Sequence, residues 1–155
     1  MLYENVIALI KTIKMFKLKK EFNICCSHRL NNESLSVNKN KQLFGKCNNL
    51  PSHGHNYRII LELKQETLDD MTGMIMNFDI LKLIFKSIID DRFDHHFLNN
   101  DRLFKNVVPT AENMCKIFYD LLKIKIPQLN RIEIYETEGS SAIYETPTSF
   151  ATLSR

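Results

Sequence analysis

The stretch "HNYRIILELK", residues 55–64, decides the fold class through the pattern of its side chains. Ile59, Leu61 and Leu63 fall on one face of an extended chain, whereas Arg58 and Glu62 fall on the other. Such alternation is typical of a strand that buries one face and exposes the other, as antiparallel sheets commonly do. The sequence therefore predicts a strand here, with its apolar face against a covering layer.

Further strands are predicted on both sides of this stretch. Residues 16–29, "FKLKKEFNICCSHR", have the β-branched and aromatic content of a strand. After a turn at "TLDDMTG", residues 74–78, "MIMNF", are predicted to form a short strand. Residues 130–145 are predicted to form a closing hairpin with Gly139 in its turn.

Two segments carry the apolar stripe of a helix. Residues 78–91 place apolar side chains at 80, 81, 84, 85, 88 and 89, and residues 109–126 begin a second helix at Pro109 and Thr110. Residues 30–49, rich in Asn, Ser and Lys, are predicted to form a long loop. This order predicts an α+β domain, with two helices on one face of a four-stranded antiparallel sheet.

Composition limits the class of protein. The chain has 155 residues, 44% of them apolar and 25% charged, which favours one globular domain over residues 16–155 after an N-terminal extension, residues 1–15. The net charge of +3 gives no argument for nucleic-acid binding, and no segment approaches the roughly 20 apolar residues of a membrane span. We expect a cytoplasmic protein with reduced cysteines. Mitochondrial targeting by the lysine-rich start is the less favoured alternative, since that start lacks Arg and Ser.

The stretch "GKCNNLPSHGHNY", residues 45–57, carries candidate metal ligands. His53 and His55 emerge on the same face of an extended segment, and His28 ends the first predicted strand. If the two strands are neighbours, the three rings can meet, and three imidazoles with an open position are typical of catalytic zinc. Cys47 is a fourth ligand that closes a structural site, a base that stands beside the metal, or a loop cysteine without a role, and its spacing does not distinguish these three.

Two carboxylates outside that stretch are also candidates for chemistry. Asp94 lies next to His95 and could orient its imidazole if a turn brings the two side chains together. Glu136 falls on the apolar face of its predicted strand, where a carboxylate is costly unless it is paired or hydrogen-bonded. It could hold a flat ligand that offers two adjacent N–H donors.

Six motifs together resemble the 6-pyruvoyl-tetrahydropterin synthase family. They are "CSHRL" (26–30), "LFGKCNNLPSHGHNY" (43–57), "TGMIMNF" (72–78), "DHHFLN" (94–99), "PTAEN" (109–113) and "IYETEGSSAIYE" (134–145). The resemblance implies the tunnelling fold, in which the sheets of several subunits join into a barrel. It also implies a homohexamer of two trimers, placed head to head, with active sites at subunit interfaces.

The resemblance assigns a role to each candidate. The zinc ligands, for one Zn²⁺ per subunit, are matched by His28, His53 and His55. Cys47 matches the family's proton-abstracting cysteine. Asp94 and His95 match the two relay partners, which come from a neighbouring subunit. The pterin-binding residues are matched by Glu136, Thr110 and Glu112.

The implied activity is a zinc-dependent lyase reaction. It converts 7,8-dihydroneopterin triphosphate to 6-pyruvoyl-tetrahydropterin with elimination of triphosphate, in tetrahydrobiopterin biosynthesis. Mg²⁺ is a candidate companion of the triphosphate, and the candidate phosphate-binding residues are Arg29, Lys39, Lys41 and Lys46.

Two alternatives remain open at this point. Bacterial relatives that share the D-H-H motif include 6-carboxy-tetrahydropterin synthases of the queuosine pathway, which use the same substrate. Ala111 stands where pterin-binding relatives often carry a second hydroxyl residue, and His96 stands where animal relatives tend to have another residue. The longer interval between Cys47 and the H-x-H pair favours the pyruvoyl enzymes. The alternative from another class is a non-enzymatic, zinc-stabilised module.

Overall fold

A computed structural model describes residues 14–147 of the chain. The predicted N-terminal extension, to which the targeting alternative applies, lies largely outside these residues. The four strands are β1 (Phe16–His28), β2 (His53–Gln65), β3 (Leu129–Thr137) and β4 (Ser140–Glu145). The main helices are α1 (Val37–Phe44), α2 (Phe78–Phe85) and α3 (Ala111–Lys123).

The sheet is antiparallel, with the strands in the order β1-β2-β3-β4. Its core face carries the alternating residues predicted from the sequence, since Ile59, Leu61 and Leu63 have no exposed surface. Helices α2 and α3 cover this face, and the ring of Phe22 on β1 stacks on that of Phe85 in α2 with their centroids 3.9 Å apart. The predicted fold class is confirmed.

The first predicted helix is confirmed, although its buried stripe is narrower than expected. Leu81, Phe85 and Ile89 face the core, whereas Ile80 is 53% exposed. Four-residue spacing keeps these three side chains on one line of the helix. Beyond Phe85 the helix continues as a π-helical turn, Lys86–Asp90, and a last helical turn, Asp91–Phe93.

The second predicted helix is confirmed with its start. Thr110 is the N-cap of α3, since its side chain accepts a hydrogen bond from the Asn113 amide. The apolar stripe is buried as expected at Met114, Phe118 and Leu122.

The short strand predicted at residues 74–78 is wrong. The segment is irregular and leads to Asn77, whose side chain caps α2 by accepting a hydrogen bond from the Asp79 amide at 2.7 Å. Ile75 and Met76 nevertheless pack against the core. Apolar residues before a cap can bury side chains without a strand partner, and a short apolar run alone does not distinguish the two arrangements.

The long loop predicted at residues 30–49 is also wrong. It contains α1 and a 3₁₀ turn, Gly45–Asn48. The Ser36 side chain caps α1, and Asn40, which is only 2% exposed, donates from its amide to the carbonyls of Asn32 and Leu35. Polar bonds rather than an apolar stripe hold this helix, so its sequence carries no helical hydrophobic period.

The outer edge of β1 is covered at its C-terminal end by residues 94–99. The Ser27 amide donates to the His96 carbonyl at 3.0 Å, and the Cys25 amide donates to a carboxylate oxygen of Asp94 at 2.7 Å. This pairing brings the D-H-H-F-L-N motif beside the strand that ends in His28. None of the helices within residues 14–147 is long and apolar enough to cross a bilayer.

Candidate metal centre and catalytic site

Three histidine rings converge at one end of the sheet. The antiparallel register places His28, the last residue of β1, opposite His53, the first residue of β2, and His55 follows on the same face. One nitrogen from each ring lies within 4.8 Å of the others, and the Nε2 atoms of His28 and His53 are 3.0 Å apart. The convergence expected from the sequence is confirmed.

A backbone carbonyl orients the ring of His28. This side chain is fully buried, and its Nδ1 lies 2.7 Å from the carbonyl oxygen of Pro109, just before α3. Because a carbonyl can only accept, Nδ1 carries the hydrogen and Nε2 is directed toward the other two rings. This contact could not be predicted from the sequence, because every residue has a backbone carbonyl oxygen.

The donor atoms fit a bound cation. Nε2 of His55 is buried and has no hydrogen-bond partner among the described residues, and Nε2 of His28 lies 3.2 Å from a carboxylate oxygen of Glu136. A cation placed among these atoms would be held by all of them. Three imidazoles are the donor set of catalytic zinc sites, so these residues fit zinc.

Titration also favours metal binding. Burial, together with the neighbouring rings, lowers the pKa of His53 below the usual value. Burial likewise lowers the pKa of His55, while the nearby Glu136 carboxylate opposes the shift. Both rings are therefore neutral at pH 7, which is the form that coordinates a metal.

Glu136 is paired on the core face of β3, which explains a carboxylate at that position. Besides its contact with His28, Glu136 accepts a hydrogen bond from the Tyr57 hydroxyl at 3.4 Å. The neighbouring His28 ring lowers the pKa of Glu136 against the opposing effect of burial, and burial raises the pKa of Tyr57 so that its hydroxyl stays protonated. Tyr57 was not singled out from the sequence, although it follows the H-x-H pair on the same face.

The three candidate pterin-binding residues line one cavity. Glu136, Thr110 and Glu112 border a cavity of about 300 Å³ between β3, β4 and the start of α3. Its wall also includes Leu30 and Phe44. Through Glu136, which contacts His28, this partly apolar cavity adjoins the histidine cluster, and its shape suits a flat heterocycle.

Cys47 does not belong to the cluster. It is half-buried in the 3₁₀ turn after α1, and its carbonyl accepts a hydrogen bond from the Leu30 amide at 2.9 Å. The cluster of potential ligands within residues 14–147 consists of the three histidines. The sulfur of Cys47 is therefore not among the clustered donor atoms.

Asp94 and His95 form the predicted pair at a turn. A carboxylate oxygen of Asp94 lies 2.7 Å from Nδ1 of His95, whose backbone adopts a positive φ of 60°. Partial burial tends to raise the pKa of Asp94, but hydrogen bonds from the Cys25 amide and the His95 ring lower it overall. Within residues 14–147, no hydrogen bond or ion pair joins this pair to Cys47.

The candidate phosphate-binding residues differ in whether their side chains are exposed or already bonded within the chain. Lys39, Lys41 and Lys46 are exposed around the turn that carries Cys47. Arg29 instead donates from Nε to the Asn48 carbonyl at 2.8 Å. The lysines therefore remain available to an anion, whereas Arg29 already has a role within the chain.

Comparisons with known proteins agree on one family. The family model described as "6-pyruvoyl tetrahydropterin synthase" matches residues 17–147. The curated "6-pyruvoyl tetrahydrobiopterin synthase" of Homo sapiens is 36% identical over 132 residues, which cover 83% of this chain and 90% of that protein. The "6-carboxy-5,6,7,8-tetrahydropterin synthase" of Synechocystis is 30% identical over 137 residues, which cover 86% of this chain and 95% of that protein.

A solved structure supports the same grouping. The 6-pyruvoyl tetrahydropterin synthase of Caenorhabditis elegans superposes with a TM-score of 0.80 at 32% sequence identity. The superposition covers 86% of this chain and 97% of that one.

Proposed function

The chain belongs to the 6-pyruvoyl tetrahydropterin synthase family, and from this we propose that it converts 7,8-dihydroneopterin triphosphate to 6-pyruvoyl-tetrahydropterin. Triphosphate is eliminated, so the protein is a carbon–oxygen lyase of tetrahydrobiopterin biosynthesis. The observation that carries the proposal is the convergence of His28, His53 and His55 beside the paired carboxylate of Glu136. The reduced thiols of such a site suit the cytoplasm.

The three histidines hold one Zn²⁺ per chain in this proposal. When bound, the ion would supply Lewis-acid chemistry that makes a C–H bond beside a substrate hydroxyl more acidic. Pro109 fixes the tautomer of His28 through its carbonyl, so the ligand nitrogen is free before the metal arrives. Mg²⁺ would accompany the triphosphate rather than occupy this site, because it prefers phosphate and carboxylate oxygens.

Glu136 anchors the pterin in the adjoining cavity. Its carboxylate is ionised at neutral pH, since its pKa is lowered, and it can accept two hydrogen bonds from adjacent N–H groups. Tyr57 holds one oxygen in place by donating to it. Thr110 and Glu112 border the same space and orient the ring from the start of α3.

Cys47 moves the proton. Its Sγ atom accepts a proton from the substrate side chain, and departure of the triphosphate follows as an elimination. His95, oriented by Asp94, returns a proton in the internal redox step that completes the diketone. Because this pair has no bond to Cys47 within the described residues of one chain, we assign it to the site of a neighbouring subunit.

That assignment requires an oligomer, for which the sheet offers a free edge. Backbone groups of Cys25, Ser27 and Arg29 point to the outer edge of β1, where residues 94–99 bond them. By the alternation of a strand, Asn23 points the same way. Within residues 14–147, no hydrogen bond from outside β1 reaches the outward backbone groups of Asn23. This part of β1 can therefore pair with another subunit in the proposed hexamer of two trimers.

Asn23→Pro is expected to dissociate the assembly while each chain stays folded. Proline removes an outward amide that bonds nothing in the described chain, and Asn23 is exposed. Turnover should fall about 100-fold, because the relay pair is then missing from each site. Sedimentation velocity measures the mass and circular dichroism measures the fold.

Lys20→Pro is the matched control for this edge. Lys20 points its backbone toward β2, so proline there should unfold the domain rather than separate subunits. An unchanged mass for Asn23→Pro, or a monomeric parent protein, would contradict the proposed pairing.

A product assay tests the function. The protein is incubated with 7,8-dihydroneopterin triphosphate and a reductant that traps the diketone, and the pterin is identified by mass. We expect the reduced derivative of a 6-pyruvoyl product, formed at a rate that depends on bound zinc. The metal content is measured on the same sample.

The second candidate is a 6-carboxy-tetrahydropterin synthase, which is favoured by the Synechocystis relative. Accumulation of a 6-carboxy pterin would replace our assignment with this one, and release of a 6-hydroxymethyl pterin would indicate side-chain cleavage. Absence of any product from a zinc-loaded protein would favour the non-enzymatic zinc module.

A further inference from the structure

The residue that follows Cys47 is a buried amide with all of its donors in use. Asn48 is 6% exposed, and its Nδ2 donates to the Leu30 carbonyl at 2.8 Å and to Oδ1 of Asn31 at 3.0 Å. A buried amide that is fully bonded fixes the relative position of the segments it joins. Here it joins the turn of Cys47 to the chain that leaves β1.

Arg29 adds a second connection between the same two segments. Its Nε donates to the Asn48 carbonyl at 2.8 Å, and its Nη2 lies 3.5 Å from Oδ1 of Asn48. The Leu30 amide donates to the Cys47 carbonyl at 2.9 Å. Cys47 is therefore attached to residues that directly follow the metal-ligand candidate His28.

Arg29 is itself held by a reciprocal pair. Its amide donates to Oδ1 of Asn99 at 2.9 Å, and Nδ2 of Asn99 donates back to its carbonyl at 2.8 Å. The Arg29 backbone is thus bonded to the segment that covers the edge of β1, while the Arg29 side chain bonds to the turn. This leaves the guanidinium little freedom to reach a phosphate.

The backbone near Cys47 needs such support. The turn begins at Gly45, which has a φ of 53°, and it is only four residues long. Residues 49–52 between the turn and β2 have no regular structure. Local secondary structure alone therefore does not hold the thiol at a defined distance from the histidines.

We propose that Asn48, together with Arg29, is a positioning residue that fixes Cys47 relative to the histidine cluster. The proposal rests on the function assigned above, in which Cys47 removes a proton from the substrate. Proton transfer depends steeply on distance, and a misplacement of about 1 Å can cost about 100-fold in rate. Neither residue touches the reacting atoms in this account.

The test is Asn48→Asp, which keeps the side-chain size and removes both donors. We expect kcat to fall about 30-fold with KM within about threefold, because placement of the base changes and substrate binding does not. Zinc content should stay at one per chain. In a Cys25→Ser background, alkylation of Cys47 by iodoacetamide should become about fivefold faster, because the half-buried thiol opens more often.

Asn40→Asp is the matched control in the same connection between β1 and β2. Asn40 is equally buried and bonds Asn32, Leu35 and Ser36, with no bond to Cys47. It should lower the melting temperature while kcat stays within about threefold and the alkylation rate is unchanged. If this control lowers kcat as much as Asn48→Asp does, the positioning role is refuted and general loosening of the loop explains both.

Other outcomes are equally decisive. Unchanged kcat and alkylation in Asn48→Asp, or loss of zinc from it, would overturn the proposal. If that variant does not fold, Arg29→Lys removes the Nε donor with the charge retained and should lower kcat in the same way. If the parent protein makes no pterin product, the assigned function fails, whereas the alkylation rates still report whether Asn48 places the thiol.

Discussion

Replacing Cys47 with alanine is expected to lower kcat by about 10³-fold, within the range of a lost general base, while one zinc ion stays bound per chain. The reason is geometric. The three histidines form the ligand cluster without the cysteine sulfur, so removing that sulfur removes a proton acceptor and no ligand. Metal analysis of the purified variant, together with its turnover, measures both effects.

Cys25→Ala is the matched control. Cys25 is an exposed cysteine on the opposite face of β1 from His28, and it has no part in the proposed chemistry. We expect it to keep both zinc and turnover. Release of zinc from Cys47→Ala would contradict the account and support a closed structural site with four protein ligands.

His53→Ala is expected to remove zinc and turnover together. The substitution deletes one of three ligands, and two imidazoles are too few for a stable site of this kind. We expect zinc below about one tenth of the parent occupancy and no measurable product. Metal analysis after dialysis and the product assay on the same sample check both.

His96→Ala serves as the control for the loss of a histidine. His96 is exposed, and its Nδ1 bonds the carbonyl of Asp94 rather than the cluster. It should retain full zinc occupancy. Full turnover in a zinc-free His53→Ala protein would rule out the Lewis-acid role that the proposed mechanism requires.

Much of the site follows from local rules of strand geometry. The one-residue spacing of His53 and His55 puts both rings on one face, and antiparallel pairing brings the end of β1 to the start of β2. The position of Glu136 on an apolar face also predicted a paired carboxylate, which the contact with His28 provides. These features can be predicted because the side-chain alternation of a strand follows directly from the order of its residues.

Other parts of the site depend on contacts that the hydrophobic periodicity of the sequence does not indicate. Helix α1 is held by the Ser36 cap and the buried Asn40 amide, so its segment resembled a solvated loop. The Pro109 carbonyl that orients His28 lies 81 residues away along the chain. Asn48 has the same identity as its exposed neighbour Asn49, and only the folded structure distinguishes them.

X-ray absorption at the zinc edge of the purified protein is the most direct measurement of the metal site on which the mechanism depends. The account predicts a shell of nitrogen and oxygen neighbours at about 2.0–2.1 Å with the outer scattering of three imidazoles. It predicts the same spectrum for Cys47→Ala. A sulfur neighbour at about 2.3 Å, lost in that variant, would contradict the assignment of Cys47 as the base.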